Sequence, residues 1–303
     1  MKKILVIGTG SIAEKHIKNL LKLNYKVSVY SESKNKINKI KDINYLENLS
    51  NLSIFEFVIL ANSTDKHLKY LKILIKNKKN IYCEKPIFFR NFDILKMRKD
   101  IIKNKILVFI GYQLMVHDKI RYLQKQLKKE KINSFVFEVG HDFRKWRKKN
   151  SFKNNYFMDD RKGGGVIFEL IHEINLIQNI SGKIKYIKTL RKKIISKNIT
   201  DLSISIIKTK NGSAGVLYQD MFSPYFFRNY KIITDNKIYE LDMVNSKLKI
   251  NNKVKMFNKK KKSHQVLLRD NLILFSKMIK TKSLASFDNS VSDMKIALKM
   301  YQN

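Results

Sequence analysis

The sequence predicts a doubly wound parallel α/β domain followed by an α+β domain whose open sheet is largely antiparallel. Three observations carry that expectation. Strand-like and helix-like runs alternate from the N-terminus to about residue 117. Beyond it, strand-like runs follow one another directly. At 303 residues, the chain is long enough for two domains, each with its own core.

The N-terminal elements follow in order. "KKILVIG" reads as a buried strand, "SIAEKHIKNLLKL" as an amphipathic helix and "YKVSVYS" as a second strand. A helix is expected near 34–41, then strand "FEFVILAN", helix "DKHLKYLKILIKN", strand "NIYCEKP", helix "NFDILKMRKDIIKN" and strand "ILVFIGYQ". Strands separated by helices of this length need right-handed crossovers, hence a parallel sheet. The reading gives a dinucleotide-binding domain at 1–117 and a substrate-binding and oligomerisation domain at 118–303. The second opens with a helix over 118–130, strand "SFVFEVGHDF", an irregular aromatic and basic segment, and a helix after three glycines. Strand-like runs near 184–194, 201–209, 213–221, 228–234 and 237–242 are joined by turns such as "KNGS" and "TDNK". Helices near 262–281 and 288–301 close the chain.

A formal net charge of +38 raises the possibility of a nucleic-acid partner. The basic residues are mostly Lys, spread over every segment and interleaved with Asn and Ile, whereas specific readers favour Arg forks and local patches. The expectation is a solvated surface with no specific nucleic-acid partner, and "NKKKKSH" at 258–264 reads as a solvated loop. Such a charge still favours anionic ligands. No apolar run approaches the roughly 20 residues of a membrane span, so no membrane insertion is expected. The start "MKKILVIG" is basic then apolar, but it ends in Gly and Thr without a cleavage pattern, which suits a first strand in a cytoplasmic protein. One cysteine, Cys83, excludes an internal disulfide, and the 6 scattered His form no metal-ligand spacing.

"GTGSIA" follows the first strand and opens a helix, so Gly8, Gly10 and Ala13 occupy the G-x-G-x-x-G/A fingerprint of the Rossmann turn. Gly8 allows the tight turn, and Gly10 lets backbone approach a pyrophosphate held at the helix start, where Ser11 and Ile12 follow. At the end of the second strand, "VYSESK" places Ser31 and Lys34 in favour of NADP and Glu32 in favour of NAD. The cofactor is therefore read as NAD or NADP, inclined to NADP. "ANSTDKH" at 61–67 and "CEKPI" at 83–87 stand at the C-terminal ends of parallel strands, where such sheets bind ligands.

With "GTGSIAEKH", "ANSTDKH", "CEKPI", "GYQ" and "GGGVIFELIHEIN" in that order, the chain resembles the glucose-fructose oxidoreductase, inositol dehydrogenase and MocA (Gfo/Idh/MocA) family of NAD(P)-dependent oxidoreductases over nearly its whole length. The resemblance implies that Lys85 points at the nicotinamide and substrate, that His172 exchanges the substrate proton, and that the Lys85–Pro86 bond is cis. The chemistry fits: hydride transfer at a carbinol carbon needs a proton acceptor and a cation for the developing alkoxide. Glu169, three residues before His172, is expected on the same helical face, orienting the imidazole or holding a substrate hydroxyl. The three glycines at 163–165 would let backbone pass close to substrate or cofactor.

The expected cofactor contacts are Gly8, Gly10, Ser11, Ile12, Ser31, Lys34, Asn62, Ser63, His67, Glu84 and Lys85. The expected substrate contacts are Lys85, Gln113, Arg144, Trp146, Tyr156, Glu169 and His172; the guanidinium of Arg144 suits a phosphate or carboxylate. Met115 and Val116 stand where the family often has Arg and an aromatic, and Asn175 where it has Asp. The resemblance implies a sugar, nucleotide sugar or related polyol as substrate, in surface-polysaccharide metabolism, and a homo-oligomer, dimer or tetramer, built through the C-terminal sheet. Alternatives are a reductase of an imine or tetrapyrrole, or a dinucleotide-binding protein without turnover.

Overall fold

In the computed structural model, "ILVI" of the first strand is wholly buried, as a near-continuous apolar run must be when helices cover both faces of a parallel sheet. The structure describes residues 1–33, 40–90, 92–145, 156–195, 197–257 and 263–302, without the side chain of Tyr156. The chain divides into two compact units, Met1–Gln113 with Lys262–Val291 and Leu114–Lys261 with Ser292–Asn303.

The first unit runs β1 (Lys3–Ile7), α1 (Ser11–Lys22), β2 (Lys26–Tyr30), β3 (Ile43–Leu46), β4 (Phe57–Leu60), α2 (Thr64–Lys76), β5 (Asn80–Cys83), α3 (Ile94–Lys103) and β6 (Val108–Ile110). Among the described residues the sheet has six parallel strands in the order β3-β2-β1-β4-β5-β6, the doubly wound order with its switch point between β1 and β4. β3 is an addition to the sequence reading, and most of the helix expected near 34–41 lies outside the described residues.

The second unit runs α4 (Asp118–Leu127), β7 (Ile132–Gly140), α5 (Val166–Glu169), α6 (His172–Ile180), β8 (Ile184–Lys192), β9 (Leu202–Thr209), β10 (Ala214–Asp220), β11 (Phe227–Thr234), β12 (Ile238–Asp242), β13 (Lys247–Ile250) and β14 (Lys253–Met256). Its sheet has the order β14-β13-β12-β11-β7-β10-β9-β8 and is antiparallel except for the β7–β10 pair. The inner rows carry the core: Phe135, Phe137, Ile207, Leu217, Tyr230 and Ile232 are buried, and the rings of Phe137 and Tyr230 lie 4.6 Å apart.

α7 (His264–Met278) and α8 (Ala285–Gln302) end the chain. Leu272 and Phe275 of α7 join Ile4, Val6, Phe57 and Tyr82 in the first unit's core, and Asn19 of α1 donates to the Gln265 carbonyl at 2.9 Å. α8 gives its first turns to the first unit and its last turns to the second.

Candidate functional site

In the first unit the candidate residues gather at the C-terminal ends of the strands. Gly8 has φ +128°, and a Cβ there would stand 2.6 Å from the Ala61 carbonyl oxygen, so only glycine lets the β1 turn lie against the end of β4. Its N–H donates to the Tyr30 carbonyl at 2.9 Å, and Thr9 Oγ1 is 3.3 Å from Ser31 Oγ, tying the turn to the end of β2. Gly10 caps α1 without a side-chain hydrogen bond, and a Cβ on it would meet nothing within 4 Å. The backbone N–H groups of Ser11 and Ile12 thus start a helix whose end faces open space, which is what an anionic ligand needs.

Asn62, just past β4, adds a second polar feature. Both atoms of its amide are buried without a hydrogen-bond partner among the described residues, and its backbone adjoins Gly8. A buried amide of this kind fits a polar ligand group. Ser63 caps α2, also without a side-chain hydrogen bond. The glycine turn, two uncapped helix starts and the Asn62 amide together fit a dinucleotide. Gln113 begins a short 3₁₀ turn after β6 and is buried. The surface groove lined by Met1, Lys3, Tyr25 and Ile54 starts from the other ends of the strands, away from this turn.

Glu84 and Lys85 leave β5, and the Lys85–Pro86 bond is cis. Glu84 is buried, with Oε1 2.7 Å from His16 Nε2 on α1. Burial opposes its charge, but the His16 hydrogen bond and the nearby His16 and Lys85 charges outweigh it, leaving the carboxyl below its ordinary range. His67 is buried; Nδ1 lies 2.9 Å from the Pro86 carbonyl and Nε2 3.1 Å from the Asn62 carbonyl. Burial lowers its pKa more than those carbonyls raise it, and a neutral ring donates its single N–H to one of the two carbonyls, which lie on the loops after β4 and β5.

Glu32, whose place after β2 favours NAD, has two ammonium partners that its own stretch of sequence does not show. Lys66 Nζ donates to Oε2 at 2.9 Å, and Lys69 Nζ donates to Oε1. Their spacing of three on α2 was the available signal. Lys34 lies outside the described residues.

The second unit holds the acid and imidazole. Glu169 ends α5 and His172 begins α6, so the single helix expected here is two. At the break the Leu170 carbonyl accepts from Gln219 Nε2 of β10, 49 residues away, at 2.8 Å. Gly163 and Gly165 have φ +82° and +80°, and a Cβ on Gly165 would collide with Asp160 Oδ1. The glycines therefore wrap a buried carboxylate, which accepts from the Thr200 N–H and, at 3.0 Å, from its hydroxyl. Burial raises the Asp160 pKa despite those bonds.

Next to His172, Glu173 is fully buried against Arg228 Nε at 2.9 Å and accepts from the Tyr230 hydroxyl at 3.2 Å. Asn175 Nδ2 and Gln178 Nε2 donate to the two oxygens of Asp293 in α8, at 2.7 and 2.6 Å. Arg144 forms a two-point contact with Asp142 at 2.8 and 2.9 Å, so its fork is occupied within its own loop. Trp146 lies outside the described residues, as does the side chain of Tyr156. Lys85 belongs to the first unit; Glu169 and His172 belong to the second. Among the described residues no group of acids, His and Cys could hold a metal, and no helix is long and apolar enough to cross a membrane.

Comparison with known proteins adds four matches. Residues 2–112 match the model of an oxidoreductase family with an NAD-binding Rossmann fold. The chain is 24% identical over 139 residues to 2,7-anhydro-N-acetylneuraminate hydratase of Escherichia coli, a match covering 46% of this chain and 37% of the hydratase. It is 22% identical over 231 residues to myo-inositol 2-dehydrogenase of Thermotoga maritima, covering 71% of this chain and 67% of that one. In fold it is similar to the solved UDP-N-acetylglucosamine 3-dehydrogenase of Acidithiobacillus ferrooxidans, with TM-score 0.83, 15% identity, and 99% and 96% of the two chains covered.

Proposed function

We propose that this chain, which belongs to the Gfo/Idh/MocA oxidoreductase family through its NAD-binding domain at residues 2–112, transfers hydride at a carbinol or carbonyl carbon of a sugar, nucleotide sugar or related polyol. The carrying observation is the uncapped start of α1 opening at Gly10, together with the buried amide of Asn62, whose backbone adjoins Gly8 and which has no partner among the described residues. The match to an inositol dehydrogenase and a sialic-acid-derivative hydratase supports a polyhydroxylated substrate.

The nicotinamide dinucleotide, when bound, supplies the hydride acceptor or donor. Gly8, Gly10, Ser11 and Ile12 would hold its pyrophosphate, and Asn62 and Ser63 the adjoining groups. The Lys85 ammonium steadies the oxygen as it gains charge. The His172 imidazole takes or returns the hydroxyl proton, with Glu169 orienting it. Gln113, Arg144, Trp146 and Tyr156 complete the proposed substrate contacts, Arg144 on condition that a substrate anion competes with Asp142.

The outer face of the second sheet supports a homo-oligomer. Tyr186, Leu190 and Ile206 are exposed there, and Val216 and Val136 continue their rows. The buried thiol of Cys83 suits a reducing cytoplasm. The reading includes no specific nucleic-acid partner.

The test combines fluorescence titration with NADH and NADPH and turnover on a panel of sugars, nucleotide sugars and inositols. Lys85→Met and His172→Asn are each expected to lose roughly 100-fold or more in turnover, with a far smaller loss of dinucleotide affinity. Full activity in either variant removes that residue from the chemistry. Binding without turnover on any substrate class would favour the non-catalytic alternative.

A further inference from the structure

Glu32 stands where an acid ordinarily selects NAD, by accepting from the ribose 2′-hydroxyl and repelling a 2′-phosphate. Here each of its carboxylate oxygens already accepts from a different ammonium, Oε2 from Lys66 and Oε1 from Lys69. The same two contacts, with the Tyr70 hydroxyl, hold its carboxyl down to about 2. The group sits at the ligand end of the sheet, because Ser31, the preceding residue, is tied to Thr9 of the glycine turn. Lys66 and Lys69 lie three apart in the first turns of α2, so both ammoniums leave one helical face toward the same spot. Two lysines and one glutamate leave the group net positive. All three side chains are partly exposed, so their contacts exchange readily with solvent or a competing anion.

We infer that Lys66 and Lys69 are specificity-determining residues for the adenosine end of the cofactor, taking the 2′-phosphate of NADP(H) in place of the Glu32 carboxylate. The inference rests on the dinucleotide reading above. Glu32 then acts as a tethered competitor: it fills the two-ammonium site when the ligand lacks a phosphate and yields it when a dianion arrives. A phosphate dianion satisfies two ammoniums better than a single carboxylate does. NADH binding makes no use of the lysines and leaves the clamp closed.

The experiment measures dissociation constants of the full chain for NADPH and NADH, with 2′,5′-ADP and 5′-AMP as probes of the adenosine end alone. Glu32→Gln is expected to tighten NADPH and 2′,5′-ADP about tenfold, the size of one charge-assisted contact, with NADH unchanged. Lys66→Met/Lys69→Met is expected to weaken the same two ligands at least about tenfold, again sparing NADH and 5′-AMP. The preference for 2′,5′-ADP should shrink as salt rises from about 0.05 to about 0.5 M. Equal effects of the lysine substitutions on phosphorylated and unphosphorylated ligands would overturn the inference, as would a Glu32→Gln variant that loses NADH affinity and gains none for NADPH. In either case wild-type binding of NADH leaves the dinucleotide reading intact. Wild-type protein that binds none of the four ligands overturns both.

Discussion

Glu84 is a carboxylate buried at the end of β5 and kept charged by His16, 68 residues earlier in the chain. Because its folded pKa lies below the unfolded value of about 4.3, its contribution to stability is present in full above that pH and is lost as pH falls through the folded value. Removing the imidazole leaves the acid buried without its main partner. His16→Ala is therefore expected to cost about 2–3 kcal/mol in urea unfolding at neutral pH, a deficit that narrows below about pH 4 as the acid takes a proton. An equal deficit at both pH values would mean that His16 acts through packing on Tyr82, whose ring centroid is 5.0 Å away. The sequence made Glu84 a cofactor contact and offered no partner for it, since nothing local shows that the sixth position of α1 meets the end of a distant strand. By contrast, Gly8 and Gly10 were legible, because a strand, a glycine turn and a helix follow each other in sequence. The three later glycines were legible as a special turn, but the group they accommodate, Asp160, was not.

Elements were readable wherever burial imposes a period, and missed where it does not. β3 is short and only half-buried, and β14 is exposed throughout, so the sequence reading contains no strand at "INYL" or at "KLKI" and "KVKM" of β13 and β14. The helix after the glycines looked continuous because no Pro or Gly interrupts it; at its break the Leu170 carbonyl accepts from Gln219, a residue of β10. The same region explains Asn175. Its amide and that of Gln178 satisfy the two oxygens of Asp293 by donation, so an Asp at 175, usual in the family resembled, would set two carboxylates face to face. Asn175→Asp is expected to destabilise the protein by about 1–3 kcal/mol at pH 7. One carboxyl of the new pair has a raised pKa, so the loss recedes as pH falls toward 5, and Asp293→Asn in the same background restores stability. Thermal melts of the two variants at both pH values check this; an Asn175→Asp protein as stable as wild type would show that the clamp contributes nothing. Gly165→Ala makes a complementary case: at φ +80° and against Asp160 it should cost more than about 1 kcal/mol, whereas the same change at Gly10 meets no atom within 4 Å.

At the scale of the whole molecule, the alternating and then successive pattern of strands was enough to foresee two sheets of different kinds, while the place of α7 was not. Its apolar face fits either core by composition, and only packing shows Leu272 and Phe275 beside β1 and β4. The outer face of the second sheet has the opposite character. The outward positions of β8, β9 and β10 include Tyr186, Leu190, Ile206 and Val216, with Lys208 opposite Tyr186 and Lys188 opposite Ile206, whereas those of β11 to β13 include Lys231, Glu240 and Lys249 joined by ion pairs at 3.6 and 3.4 Å. An apolar area with a charged border is the pattern of a surface that another protein covers. Two copies carrying +38 each repel one another, so association through this face should strengthen as salt screens the charge. Sedimentation equilibrium is expected to show a larger share of oligomer at about 0.5 M than at about 0.05 M salt. Ile206→Glu, at the centre of the apolar rows, should hold the chain as a monomer at both salt concentrations without changing its melting temperature at low salt. Oligomers that persist in that variant, or that dissociate as salt rises, would place the contact on a polar surface elsewhere.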